Sequence, residues 1–184
     1  MALLASTVRV APSAMALAAL VAACDQPKPR PAQPTPTAAV APPALAGPPT
    51  TDEALPAQPQ WATAYMGKPL AEVFPDQGGQ CVGNTDVVNL YYRGSSQGLR
   101  VEGWGWAPEA KAPVARVLLV DEGGRIVGAG ETGKSRPDVT AARKDITSST
   151  TGWQAVTAKS AGGVDAFGLM PDGKSVCRLG HLNL

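Results

Sequence analysis

The sequence predicts an all-β fold, an antiparallel β-sandwich of about seven short strands with one or two short helices, behind a disordered proline-rich linker. Three observations predict it. Short runs of β-branched, aromatic or alternating residues recur beyond Gly79, separated by glycine, proline and aspartate turns. Eleven of the 18 prolines crowd between Gln26 and Gln60. Two cysteines, Cys81 and Cys177, bracket the strand-rich region.

The elements follow in order. Lys68 to Phe74 reads as a short helix with Leu70, Val73 and Phe74 on its apolar face. Val87 to Tyr92 is β-branched and aromatic and ends at Arg93-Gly94-Ser95-Ser96. Leu99 to Trp106 alternates, with Leu99 and Val101 facing one way and Glu102, Trp104 and Trp106 the other. Val114 to Val120 is almost continuously apolar, as a central strand covered on both faces would be. Asp121-Glu122-Gly123-Gly124 is a turn, and Arg125 to Ala129 returns as its hairpin partner. Asp138 to Lys144, with Pro137 just ahead, reads as a second short helix. Trp153 to Ala158, Val164 to Met170 and Ser175 to Leu179 complete the strands, with Pro171-Asp172-Gly173 as the last tight turn.

Ahead of this domain lie two segments of different character. Residues 1–23 read as a signal peptide: Arg9 and the amine make a weakly positive start, and Val10 to Ala23 is apolar and small. That run is too short for a membrane-spanning helix, which needs roughly 20 apolar residues. It ends at Val21-Ala22-Ala23-Cys24, which resembles the lipobox of bacterial lipoproteins. The resemblance implies that Cys24 takes a diacylglycerol, that the chain is cut before it, and that the new amine is acylated, a palmitate-bearing anchor in a cell membrane. Thiolate chemistry suits the alkylation, and each buried methylene adds about 0.8 kcal/mol of membrane affinity. Asp25 resembles the inner-membrane retention signal of enterobacterial lipoproteins. That rule differs between bacterial groups, so inner and outer membrane are both open.

Residues 24–60 carry the lipidated cysteine and then a linker of Pro, Ala, Thr and Gln. It has too little apolar surface to offset its chain entropy and is expected to stay unfolded. At about 3.1 Å per residue in the polyproline conformation, its reach is at most ~110 Å. Residues 61–184 form the folded periplasmic domain, a size that folds alone.

Charge excludes one class of partner. The formal net charge is +1, with no basic excess of the kind nucleic-acid binding requires. With Cys24 given to lipid, Cys81 and Cys177 are an even pair, expected as a disulfide in an exported protein.

Gly103-Trp104-Gly105-Trp106-Ala107, Arg136-Pro137-Asp138-Val139 and Gly152-Trp153 occur in this order. The pattern resembles an uncharacterised accessory β domain of bacterial envelope proteins, also appended to some membrane glycosyltransferases. That family places an acid two residues after its Trp-Ala; here Pro108 intervenes and Glu109 takes that place. The resemblance implies a sandwich-like accessory domain without a defined activity, acting near glycans.

Candidate site residues divide between ligand and structure. Trp104, with Tyr91 at the border, is the candidate ligand surface, where an indole could stack on a sugar ring. Trp106 is the expected core tryptophan, and Trp153 belongs to the structural motif. Arg136 and Asp138 are expected to fix a turn, Asp138 capping the helix and Arg136 pairing with a carboxylate. Asp121 and Glu122 read as a hairpin tip rather than a calcium loop, which supplies more oxygens at defined spacing.

No catalytic, cofactor or metal motif emerges. His181 is the single histidine, without a nucleophile elbow beside it or a second histidine for zinc. The expectation is therefore a non-catalytic binding or scaffolding module, anchored in the membrane by lipid and possessing cell-wall or other polysaccharide, or envelope proteins, as partner. The alternatives are a structural subunit of a membrane-associated assembly and a hydrolase with an unrecognised carboxylate pair.

Overall fold

A computed structural model describes residues 47–184. The leader, Cys24 and the first part of the linker lie outside the described residues. The chain runs through β1 (Thr50–Thr51), a 3-10 helix (Gln60–Tyr65), α1 (Leu70–Val73), β2 (Val82–Tyr92), β3 (Gly98–Ala107), β4 (Ala112–Pro113), β5 (Arg116–Asp121), β6 (Ile126–Lys134), α2 (Pro137–Ala142), β7 (Gly152–Thr157), β8 (Gly163–Leu169) and β9 (Val176–Asn183). All seven expected strands are present, and both short helices.

The strands form one sheet in the order β1-β2-β3-β7-β6-β5-β8-β9, with β4 beside β3. Every pairing is antiparallel except the two-residue β1, which runs parallel to β2 through Thr50 opposite Tyr91. The sheet curls until its halves share a core, so the two layers of the expected sandwich are stretches of one continuous sheet. The curl brings β9 alongside β2. Cys81 and Cys177 stand there at disulfide distance, with Cα atoms 5.9 Å apart.

Glycines on the inner face of β3 make this packing possible. A Cβ at Gly103 would lie 2.4 Å from the Trp153 ring and 2.1 Å from the Asn84 carbonyl oxygen. One at Gly105 would meet Val114 at 2.8 Å and Leu179 at 2.9 Å. Trp153, 1 % exposed, therefore lies in the central core with Leu99, Val101, Val117, Leu119 and Leu179. Alternation puts Trp104 and Trp106 on the opposite face, under a cover of Val139 and Ile146 from α2 and the loop after it.

Strand β5 is apolar on both faces, as its sequence predicts. Val117 and Leu119 enter the central core. Leu118 and Val120 face a second cluster made with Ala62, Leu70 and Phe74 of the N-terminal helical segment. Asp121 Oδ1 accepts from the Arg125 backbone N–H at 2.9 Å, and Gly124 takes a φ of 74°, closing the hairpin. The last turn closes in the same manner: Asp172 Oδ1 accepts from the Lys174 and Ser175 N–H groups.

The composition-based boundary at Gln60 is displaced. Thr50 to Gln60, expected to be unfolded, is laid on the domain as a strap. The Leu55 N–H donates to the Ser96 carbonyl at 2.7 Å. The Gln58 side chain bridges two strands: its Nε2 donates to the Val156 carbonyl at 3.1 Å, and its Oε1 accepts from the Ala129 N–H at 2.9 Å. Proline-rich composition limits what a segment can bury by itself, but an existing sheet supplies the partners it lacks.

Two outcomes follow from this packing. Gly103→Ala forces a Cβ into backbone and indole, and is expected to lower stability by at least ~1–3 kcal/mol in urea unfolding. Chains starting at Trp61 and at Gly47 should differ in urea midpoint, the shorter being less stable, because Ala129 and Val156 lose Gln58; each buried group left unpaired costs about 1–3 kcal/mol.

Candidate functional site

Strand β3 presents Arg100, Glu102 and Trp104 in succession on the outer face of the sheet, since side chains two apart share a face. Opposite them on β7 stand Val156, Gln154 and Gly152. Arg100 donates from Nε to Asn89 Oδ1 at 2.9 Å, and from Nη2 to the same oxygen. Its Nε lies 3.7 Å from Glu102 Oε1, which also accepts from Gln154 Nε2. The row of planar polar groups ends at Trp104, which is half-buried.

Trp104 does not stand free. It packs against the cluster of Trp106, Val139 and Ile146. Trp106 is buried at 2 % exposure, as expected of the core tryptophan. Tyr91 packs against the central core and lies far along β2, opposite Leu99. The structure therefore does not bring Tyr91 and Trp104 together as one ligand surface. The β2 bulges between Thr85 and Val87 and between Val88 and Leu90 shift the register, which strand parity alone does not show.

Arg136 pairs with two carboxylates rather than one. Nη1 lies 2.5 Å from Asp86 Oδ2, and Nη2 2.7 Å from Asp138 Oδ2, with Nε donating to Asp138 Oδ1 at 2.9 Å. This fork ties the start of α2 to β2. Asp138 spends its carboxylate on Arg136, and no side-chain hydrogen bond caps the helix. The Arg136 hydrogen bond holds the Asp138 carboxyl below its ordinary value. The hydrogen bonds that Arg136 donates to Asp138, against the opposing effect of burial, raise Arg136. Trp153, the remaining motif residue, is a core side chain whose Nε1 has no partner among the described residues.

The depressions of the described surface include three that hold charged side chains. The first, about 430 Å³, brings Asp76, Glu109 and Asp172 to one end of the sheet. Asp172 is committed to its turn, with Oδ2 accepting from Ser175 Oγ at 3.0 Å, and the Lys174 and Ser175 backbone hydrogen bonds lower its carboxyl. Asp76 Oδ1 likewise accepts from the Gly78 N–H at 3.0 Å. A general acid needs a carboxyl raised toward neutrality, the reverse of what the turn does to Asp172. The second, about 290 Å³, lies between the strap and the outer face of β3, β7 and β6. The third, about 420 Å³, runs beside the Asp121–Gly124 hairpin. Glu122 at that hairpin accepts from the Gly163 N–H at 3.0 Å, a structural use of the acid. Among the described residues, no group of three or more His, Cys, Asp or Glu side chains converges as a metal site would.

His181 belongs to a cross-strand cluster that sequence reading did not assemble. Its Nδ1 lies 2.8 Å from Asp165 Oδ1, its Nε2 3.1 Å from Asn183 Oδ1, and Arg178 Nη2 lies 2.7 Å from the same Asp165 oxygen. The pairing of β8 with β9 sets Asp165 opposite His181. Comparison with protein families, with characterised proteins and with solved structures finds no match to this chain.

The hydrogen bond to Asp165, with a smaller one to Asn183, raises His181 above its ordinary 6.5. Its contribution to stability is therefore fully present below 6.5 and is lost as pH rises through the higher folded value. An NMR titration is expected to place the His181 midpoint above 6.5, and Asp165→Asn should bring it down toward that value.

Proposed function

We propose that the chain is a lipid-anchored protein of the bacterial envelope, whose domain works without catalysis as a periplasmic binding or scaffolding module associated with glycans. The observation that carries this reading is the meeting of Cys81 and Cys177, 96 residues apart, at the seam between β2 and β9. A bridge there suits an oxidising compartment, and the Val21-Ala22-Ala23-Cys24 resemblance to a lipobox supplies the route to it.

The motif shared with the envelope accessory domain supports scaffolding. Trp106 and Trp153 fill cores, Gly103 makes room for Trp153, and Arg136 fastens α2 to β2. These are building uses. The face left for a ligand is the polar row from Trp104 to Arg100. Half-cover of Trp104 shifts the weight of that surface toward the Arg100 end.

Two measurements check the reading. Growth with a clickable palmitate analogue should label the chain and bring it down with membranes, and Cys24→Ser should lose both label and sedimentation. An unlabelled chain with free thiols at positions 81 and 177 would refute the address. Replacing both Cys81 and Cys177 by Ala should lower stability by roughly 4–5 kcal/mol in the chain-entropy model.

A further inference from the structure

The geometry points to the groove beneath the strap as a binding site for a compact ligand bearing one carboxylate, the size of a single sugar acid or amino-acid residue. The inference rests on the glycan-associated reading only in its choice of source. The site itself is defined by the groove.

The groove holds about 290 Å³, near the lower end for small-molecule sites at roughly 300 Å³. Its apolar walls come from Pro56 and Pro59 of the strap, with Tyr92 and Val156 from the sheet. Two cations line it, Arg100 from β3 and Lys134 from β6. The one lining anion, Glu131, is engaged: its Oε1 accepts from Trp61 Nε1 at 2.7 Å. Glu102 lies outside the lining and is occupied by Gln154 and Arg100.

The cations are less committed. Arg100 directs Nε and Nη2 at the neutral Asn89 side chain, with Nε also 3.7 Å from Glu102 Oε1. Of its five N–H donors, those on Nη1 have no hydrogen-bond partner among the described residues. Lys134 makes no ion pair among the described residues. A guanidinium fork and an ammonium over apolar walls suit a carboxylate attached to a small apolar body. Gln154, already oriented by Glu102, lines the same groove and offers a carbonyl oxygen to a ligand hydroxyl or N–H.

Gln58 gives the site a built margin. Its side-chain amide joins the Val156 carbonyl and the Ala129 N–H, so the strap is clamped to the sheet at the groove rather than lying loosely over it. The walls are therefore preorganised, which lowers the cost of binding.

The test is a titration of the full chain, followed by NMR at the Val156 and Ala129 amides and the Gln154 side-chain amide. The probes are glucuronate and N-acetylmuramate, N-acetyl-D-alanine, and the uncharged glucose and N-acetylglucosamine. All three carboxylates, or either class of them, should cause saturable shifts, with little from the uncharged sugars. Sugar acids alone would identify a glycan source, and the amino-acid derivative alone a peptide source. Arg100→Gln and Lys134→Gln should each weaken binding about tenfold or more, while the amide spectrum away from the groove stays unchanged. A groove untouched by every carboxylate, equal response to uncharged sugars, or full affinity in both variants would overturn the site. These outcomes are independent of palmitate labelling, so a failed lipid anchor and a failed groove are distinguishable.

Discussion

Strands β2 and β9 meet without a backbone ladder between them among the described residues, and the rest of the structure depends on that seam. The sheet must curl through seven long strands to reach it. Curling that tight requires an inner face with little volume in the right places. Gly83 lies against Leu179, Gly180 against Thr85, and Gly103 against the Trp153 ring. The Cys81–Cys177 pair spans the seam at one end. A covalent bridge across 96 residues removes much of the unfolded chain's freedom.

The same curl produces the outer surface. Because β3 turns its glycines inward, its charged and aromatic residues face outward, and two flanking segments cover parts of that face. The α2 segment covers Trp106 and half of Trp104. The strap and 3-10 helix approach from the other side, with Gln58 on the sheet and Trp61 holding Glu131. Arg116 sits 4.8 Å over the Trp61 ring and reinforces that approach through a cation–π contact. Between the two covers remains the polar row of Arg100, Glu102 and Gln154. The groove opens where the strap meets this row, with Pro56 and Pro59 on one side and Arg100 and Gln154 on the other.

Trp106, Trp153, Arg136 and Asp138, the residues of the Gly-Trp-Ala and Arg-Pro-Asp-Val motif, are occupied in holding the fold. The residues that border the groove, such as Lys134, Gln154 and Pro56, fall outside the motif.

Strand identity was legible in the sequence because period-two alternation and turn residues are local. Leu99 to Trp106 and the Asp121–Gly124 hairpin needed no knowledge of distant partners. So was the pairing of Cys81 and Cys177, the two cysteines that bracket the strand-rich region. What the sequence could not show was which side of each strand meets which other element. Tyr91 fell opposite Leu99 against the central core, away from Trp104, and α2 covered part of an indole that alternation alone left open. The strap escaped composition entirely, because prolines between Thr50 and Gln60 disfavour independent structure but do not prevent hydrogen bonding to a finished sheet. Local periodicity and covalent chemistry are properties of neighbouring residues, and the sequence determined them by itself. Burial, ion pairing and the groove depend on residues up to about a hundred positions apart, and only closure of the sheet decided those.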